Sequence, residues 1–263
     1  MNIHFYKYQA AGNDFVLIDN RNKKLSLSKE QIARICDRKF GVGANGVILV
    51  DNDAKANFHI TYINPDASQS LCGNGCRTAV DLASRLGMTN ARLPDGQGKI
   101  SFNAYDGIHK AEILNDGQIK IQMNDVNAIN EVFDGYSLDT GSPHYVKFVS
   151  GLDNYPVFDD GRKMRYDAHF PKGTNANYIE DNGNNSIALR TYERGVEEET
   201  LACGTGATAA ALAASKKGYS SPLTIFTKGG TLTVDFKLRP SGGFSDIYLT
   251  GPAKLVFEGD LEL

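Results

Sequence analysis

Two Cys-Gly-x-Gly segments, Cys72-Gly73-Asn74-Gly75 and Cys203-Gly204-Thr205-Gly206, stand 131 residues apart in a chain of 263. Each opens a stretch that reads as a helix, and each stretch meets a glycine 15 residues after its cysteine, at Gly87 and Gly218. A cysteine at a helix start faces unpaired backbone N–H groups and the positive end of the helix dipole. Both favour the thiolate over a thiol whose free pKa is about 8.5. The glycines let the backbone turn and let a ligand approach the peptide N–H groups. Two such helix ends directed at one cavity would trap a carboxylate. Two thiols on opposite sides of a substrate can also do what one cannot: one removes a proton and the other returns a proton to the opposite face. The α-proton of an amino acid is a very weak acid. Its removal needs a local base and a neutralised carboxylate, so that the developing enediolate charge is stabilised. Paired helix termini would supply that field without an organic cofactor.

Other chemistries have little to stand on. No lysine sits in a recognisable pyridoxal phosphate motif, and His4, His59, His109, His144 and His169 are scattered, so no cofactor and no metal are expected. Cys72 and Cys76 have the spacing of a zinc pair but lack a second pair. Cys36, on the apolar face of a capped helix, and Cys76, one turn into its helix, read as packing residues. The net charge of −3 with no basic run excludes a nucleic-acid partner. No apolar stretch approaches the roughly 20 residues that span a bilayer, and the first residues lack the apolar core of a signal peptide. The expected location is therefore the cytoplasm, with four free thiols. A hydrophobic content of 41% and a charged content of 22% fit a globular protein with a real core.

The elements that position the cysteines repeat. Ile3 to Asp19 reads as strand, loop, strand, and Ser28-Lys29-Glu30-Gln31 as a capping box. The helix that follows is expected to run to Gly41. Val47 to Val50 and Phe58 to Ile63 read as strands. After Cys72, the spacing of Ala79, Leu82, Ala83 and Leu86 predicts an amphipathic helix ending at Gly87. Residues 99 to 123 read as short strands broken at Asp106-Gly107 and Asn115-Asp116-Gly117. In the second half, Tyr145 to Val149, Ala176 to Glu180 and Ile187 to Tyr192 read as strands. Ala207 to Lys217 reads as a helix, and four further strands close the chain. Gly12-Asn13-Asp14-Phe15-Val16 is echoed by Gly141-Ser142-Pro143-His144-Tyr145-Val146, and Gly43 to Leu49 by Gly173 to Ile179. Thr61-Tyr62 is echoed by Thr191-Tyr192. With the cysteines the offsets are 129, 130, 130 and 131, which points to an internal duplication. The expected halves are residues 1–124, carrying Cys72, and 125–263, carrying Cys203. The strand at 253–263 lies beyond the second copy and is expected to cross back to the first.

Taken together these residues resemble the diaminopimelate epimerase family. The resemblance runs through Gly12-Asn13-Asp14-Phe15, Gly41-Val42-Gly43-Ala44-Asn45-Gly46, Asn64-Pro65-Asp66-Ala67-Ser68, Cys72-Gly73-Asn74-Gly75, Asn175, Glu193-Arg194-Gly195 and Cys203-Gly204-Thr205-Gly206. It implies an α/β fold of the α+β type: two pseudo-symmetric domains, each a β-barrel-like mixed sheet around a central helix. It implies a cofactor-independent enzyme, often a homodimer, that interconverts LL- and meso-diaminopimelate in lysine and peptidoglycan precursor synthesis. By the resemblance, Cys72 and Cys203 are the catalytic pair. Cys203 would take the α-proton of the LL isomer, although the residues themselves do not say which thiol serves which face. Gly73, Asn74, Gly204 and Thr205 would hold the reacting carboxylate. Glu193 would bind the reacting amino group, and His144 would support the catalytic site. Asn13, Asn64, Asn175 and Arg194 would read the distal end, where the planar guanidinium suits a carboxylate.

Three places depart from the family's common pattern. Ser142, a substrate-binding residue by the resemblance, stands where many members have asparagine, in Gly-Asn-Pro-His, and offers a shorter donor and acceptor for that contact. Gly46 stands where some have glutamine, and Tyr8-Gln9-Ala10-Ala11 replaces a commoner His-Gly-Leu run. Two rivals share the fold and carry cysteines or a binding role: proline and hydroxyproline racemases, and a non-catalytic amino-acid-binding relative. The racemases commonly carry histidine where this chain has Asn74, and their substrates have no second amino-acid end for Arg194 to read. Phenazine-type isomerases of this fold lack the paired cysteines.

Overall fold

The computed structural model describes residues 2–22, 25–89 and 99–263. Backbone contacts separate two compact units, one running to Ile121 and taking in Gly251–Leu263, the other Gln122–Thr250.

The first unit contains β1 (Asn2–Ala10), β2 (Asn13–Asp19), α1 (Lys29–Cys36), β3 (Gly46–Asp51), β4 (Phe58–Ile63), α2 (Gly73–Arg85), β5 (Ile100–Ala104), β6 (Gly107–Ile113) and β7 (Ile119–Gln122). The C-terminal strand, Lys254–Glu262, pairs antiparallel with β1. From β1 onward each strand pairs with the next. β2–β3 and β4–β5 are parallel; β1–β2, β3–β4, β5–β6 and β6–β7 are antiparallel. The two parallel steps need crossovers, and the helices supply them: α1 joins β2 to β3, and the segment holding α2 joins β4 to β5.

The second unit contains β8 (Asn130–Val132), β9 (Gly135–Asp139), β10 (Pro143–Phe148), α3 (Val157–Arg165), β11 (Asn175–Gly183), β12 (Ser186–Glu193), β13 (Glu198–Thr200), α4 (Gly204–Ser215), β14 (Leu223–Thr227), β15 (Gly230–Leu238) and β16 (Phe244–Gly251). Its pairing from β9 repeats that of the first unit from β1. β9–β10 is antiparallel, β10–β11 parallel, β11–β12 antiparallel and β12–β14 parallel, and β14–β15 and β15–β16 are antiparallel. Even the register survives. Phe15 pairs with Gly46 across β2–β3, and Tyr145 with Ala176 across β10–β11, an offset of 130 on both strands. The fold is thus a mixed α/β duplication, as the sequence implies.

In both units strands wrap the helix that carries the cysteine. α2 packs on β1, β2, β3, β4 and the C-terminal strand, and α4 on β9, β10, β11, β12, β14 and β15. α4 is made of small residues, and Gly204 through Ala214 are all buried. α2 departs from its expected amphipathic character. Gly73 through Ser84 are all buried, including Arg77, Thr78, Asp81 and Ser84, because strands cover the face that the residue pattern assigns to solvent. Its polar side chains are met inside: Tyr8 donates to Asp81 at 2.8 Å, and Thr78 donates to Gly75 O at 2.7 Å.

α1 also differs from expectation. It carries the capping box on Ser28 and Gln31 but stops at Cys36, short of Gly41. Asp37 turns to extended backbone (ψ 124°), and its carboxylate accepts the amides of Lys39 and Phe40, which ends the helix with a local turn. α3 and the short strands β8, β9 and β13 are additions to the elements read from the sequence.

Candidate active site

Each cysteine is the N-cap of its central helix. Cys72 has φ −130° and ψ 107°, and its Sγ accepts the Gly75 amide at 3.5 Å. Cys203 has φ −116° and ψ 117°, and its Sγ accepts the Gly206 amide at 3.4 Å. Each cap carbonyl takes the first helical bond, from Cys76 N and Ala207 N, both at 2.8 Å. A sulfur in the place usually held by a serine or aspartate oxygen meets the positive end of the helix, where negative charge is favoured by about 0.3–1 kcal/mol, more when partly buried. Cys72 is half-buried and Cys203 is buried. The other two cysteines lack such a setting. Burial pushes the Cys36 thiol up to about 11 and Cys76 well above its usual value, so both stay protonated and inert.

Around Cys72, Asn74 is buried, and its Oδ1 accepts Arg77 Nη2 at 2.8 Å. Asn13 opens β2, and its Oδ1 is buried with no hydrogen-bond partner. A buried carbonyl oxygen left this way costs about 1–3 kcal/mol, a cost that an incoming donor such as an ammonium would relieve. Asn64 donates through Nδ2 within its own loop, to Ser68 O, Ser68 Oγ and Ser70 Oγ at 3.1, 3.1 and 3.2 Å. Its amide end is therefore occupied.

Around Cys203 the site residues are brought into one network. Thr205 Oγ1 lies 3.4 Å from Cys203 Sγ and 3.4 Å from Ser142 Oγ. Ser142 Oγ lies 3.0 Å from His144 Nε2. His144 is fully buried, and burial together with the charge of Arg194 pulls its pKa down to about 3, leaving a neutral imidazole. The Glu193 carboxyl takes the Thr200 hydroxyl and the Cys203 side chain as hydrogen-bond partners. Burial raises its pKa, and those two bonds pull it back. Asn175 accepts the Arg194 amide at 2.9 Å, and Arg194 Nη1 donates to Lys172 O at 3.1 Å. Among the described residues no carboxylate pairs with the Arg194 guanidinium. Asp139, Ser142, Pro143, Lys172, Gly173 and Arg194 line a cavity of about 400 Å³, so its walls carry both signs of charge.

Two residues with no role in the sequence reading stand out. Asn177, on β11, bonds His144 Nδ1 at 3.0 Å from behind. Its signal was present in the strand alternation, since Asn175 and Asn177 point to one face. Arg77 is 0% exposed and one turn into α2. Its Nη1 has no partner, its Nε reaches Pro252 O at 3.3 Å, and its charge acts on Cys72 and Cys76. Burial pulls it down to about 10, still fully charged at neutral pH. An arginine following Cys-Gly-Asn-Gly-Cys carries no sequence mark of burial. Among the described residues no cluster of His, Cys, Asp and Glu could hold a metal ion, and no helix is long and apolar enough to cross a membrane.

Two copies of one mixed α/β arrangement, each with strands wrapped around a buried helix, define the class of fold. A solved phenazine biosynthesis protein of the PhzF family from Bacillus anthracis shares the fold, with a TM-score of 0.77 over all of both chains at 16% identity. The family is set by sequence: the diaminopimelate epimerase model matches residues 5–129 and 136–256, and the chain belongs to that family. It is 44% identical to the diaminopimelate epimerase of Flavobacterium psychrophilum, covering 96% of this chain and 98% of the relative. It is 37% identical to that of Chlorobaculum tepidum, covering 96% and 99%.

Proposed function

We propose that this chain is a diaminopimelate epimerase that inverts one α-carbon of LL-diaminopimelate to the meso form by proton transfer between two cysteines, in lysine and peptidoglycan precursor synthesis. The observation that carries the proposal is the pair of cysteine N-caps on buried helices, one in each copy of a duplicated fold, in a chain of this family. A two-base inversion requires the two thiols to meet one carbon from opposite faces. The thiolate removes the α-proton, and the thiol gives its own proton to the other face. The sulfurs exchange states with each turnover and the reverse reaction swaps their roles.

The reacting carboxylate gains most at the transition state, where charge moves from carbon onto its oxygens. The N–H groups of Gly73, Asn74, Gly204 and Thr205 start helices and are oriented before substrate arrives, so they stabilise that charge without reorganising. Glu193 takes the reacting ammonium. Arg194, which has no acidic partner among the described residues, takes the distal carboxylate in bidentate fashion. Asn13 Oδ1 accepts from the distal ammonium, and Asn64 and Asn175 are assigned to the same distal end by the family resemblance. The protein is expected to work in the cytoplasm as a homodimer.

Deuterium wash-in tests the assignment. In heavy water the wild-type enzyme should place deuterium at the α-carbon of diaminopimelate as it epimerises, and should leave proline unlabelled. Labelling of proline without labelling of diaminopimelate would transfer the chain to the racemase branch of the fold.

A further inference from the structure

We propose that Ser142 is a positioning residue whose hydroxyl completes a one-way chain of hydrogen bonds from Asn177 and His144 through Thr205 to the sulfur of Cys203. The proposal rests on Cys203 being a proton-transferring thiol.

The direction of the chain follows from its fixed end. Asn177 Nδ2 donates to Tyr145 O at 2.9 Å, and Asn177 Oδ1 accepts the Thr191 hydroxyl at 3.1 Å. The carboxamide therefore cannot be turned over, and Nδ2 faces His144 Nδ1 at 3.0 Å as a donor. Nδ1 must accept, so the neutral ring carries its proton on Nε2. That N–H points to Ser142 Oγ at 3.0 Å.

A second donor reaches the same oxygen. Asn175 is held by the Arg194 amide on Oδ1 and by Pro143 O at 2.9 Å on Nδ2, and Nδ2 also lies 3.2 Å from Ser142 Oγ. A hydroxyl has two acceptor sites and one proton. With both acceptor sites of Ser142 taken, its proton is left for Thr205 Oγ1 at 3.4 Å. Thr205, accepting there, turns its own proton to Cys203 Sγ at 3.4 Å, and the Gly206 amide reaches the same sulfur at 3.4 Å.

Two donors thus converge on Sγ, an arrangement that favours an anionic acceptor. The charged groups nearby are Glu193, from β12, which faces the sulfur, and Arg194, at the end of that strand, which faces His144. The Glu193 carboxylate gives the S–H form a partner, so Cys203 has a donor side for the thiolate and an acceptor side for the thiol. The serine is what makes the chain continuous. One oxygen accepts twice and donates once, whereas the asparagine common at this place in the family separates its acceptor and donor onto different atoms.

The test compares the two thiols within one molecule. In Ser142→Ala the Thr205 hydroxyl loses the donor that turns its own proton to the sulfur, so alkylation of Cys203 by iodoacetamide at neutral pH should slow by up to about tenfold, the effect of losing that charge-assisted hydrogen bond. The pH at half-maximal rate should rise, and Cys72 should react as before. kcat should fall with KM little changed, and Ser142→Thr, which restores a hydroxyl, should recover both readouts. The relay is overturned if Cys203 in Ser142→Ala keeps its alkylation rate and pH profile. It is equally overturned if both thiols change together with a fall in Tm, since that is the mark of a structural role. Alkylation reads the sulfur without substrate, so either result is separate from the assignment of the reaction. Loss of that assignment would appear instead as epimerisation surviving in Cys203→Ser.

Discussion

The N-termini of α2 and α4 hold the same sulfur in the same backbone but in opposite surroundings. Their cap torsions agree within about 15°, and each sulfur accepts the amide three residues on. Beyond that they diverge. The fifth residue after Cys72 is Arg77, a buried cation with one N–H group unsatisfied; the fifth after Cys203 is Thr208, which donates to Gly204 O at 3.0 Å. Cys203 sits instead against neutral hydroxyls and the Glu193 carboxyl. What both thiols need, a helix end and a tight turn, is placed by backbone and was kept through duplication. What makes them unequal is placed by side chains, a cation on one side and an acid on the other.

Removing either sulfur should break the symmetry altogether. Cys72→Ser and Cys203→Ser are each expected to lose epimerisation by about a thousandfold, within the range for a positioned acid–base group. Each should be measured by interconversion of LL- and meso-diaminopimelate, with Tm as the control. Substantial turnover by either variant would remove the two-base scheme.

The next largest effect separates the halves by pH. His144 titrates in the unfolded chain near 6.5 but is held neutral in the fold down to about 3. Below pH 6.5 the unfolded chain therefore binds the extra proton, and the fold loses stability as pH falls through that window, at up to about 1.4 kcal/mol per pH unit. Denaturant melts of wild type and His144→Gln between pH 7 and 5 should show a shallower slope in the variant, while the fall at lower pH that comes from carboxylates such as Asp14, Glu197 and Glu199 remains in both. Equal slopes would mean that the ring is not held neutral.

Arg77→Met tests the other half. It should slow alkylation of Cys72 about tenfold, by loss of a nearby buried charge, while Cys203 is unaffected. Stability should fall as well, by about 1–3 kcal/mol, because Asn74 Oδ1 and Pro252 O each lose a donor, partly offset by removal of the unsatisfied Nη1 with the charge.

The smallest contrast lies between the last glycines of the two motifs, Gly75 and Gly206. A Cβ at Gly206 would stand 2.5 Å from Asn177 Oδ1, whereas one at Gly75 would meet the Ile48 terminal methyl at 3.0 Å. Gly206→Ala should cost about 1–3 kcal/mol, and Gly75→Ala less, since a methyl end can move. Equal losses in Tm would show that the second cap is not the tighter one.

Much of this was legible because it is local. The N-cap cysteines follow from Cys-Gly-x-Gly before a helical stretch, and the β5–β6 hairpin from Asp106-Gly107. The duplication shows as a constant offset, which the shared register of Phe15–Gly46 and Tyr145–Ala176 carries into space. What was hidden depends on distant neighbours. α3 has Pro156 at its N-cap with no side-chain cap bond, and Gly161 in its middle, both signals against a helix. The glycine is there because a Cβ would lie 2.4 Å from Tyr192 Cβ, so packing against β12 requires the residue that helix propensity disfavours. The burial of Arg77 depends on strands from both ends of the first unit closing over α2. Asn177 was visible as part of a repeat, but its partnership with His144 required the parallel pairing of β10 and β11.

The caps are made of the two sulfurs to which the proposed reaction is assigned, and this would tie its chemistry to the mechanics of the helices. A thiolate accepts an amide hydrogen more strongly than a thiol does. In the proposed inversion one sulfur gains a proton as the other gives one up to the carbon, so one helix would lose firmness in its first turn while the other's is strengthened. The Gly75 and Gly206 amides would then tighten and fray in antiphase, once per inversion, as two gauges of the protonation states. Exchange of those two amides with solvent should respond to Cys72→Ser and Cys203→Ser separately, each at its own helix. If both amides exchange at wild-type rates in both variants, the caps do not follow the protons.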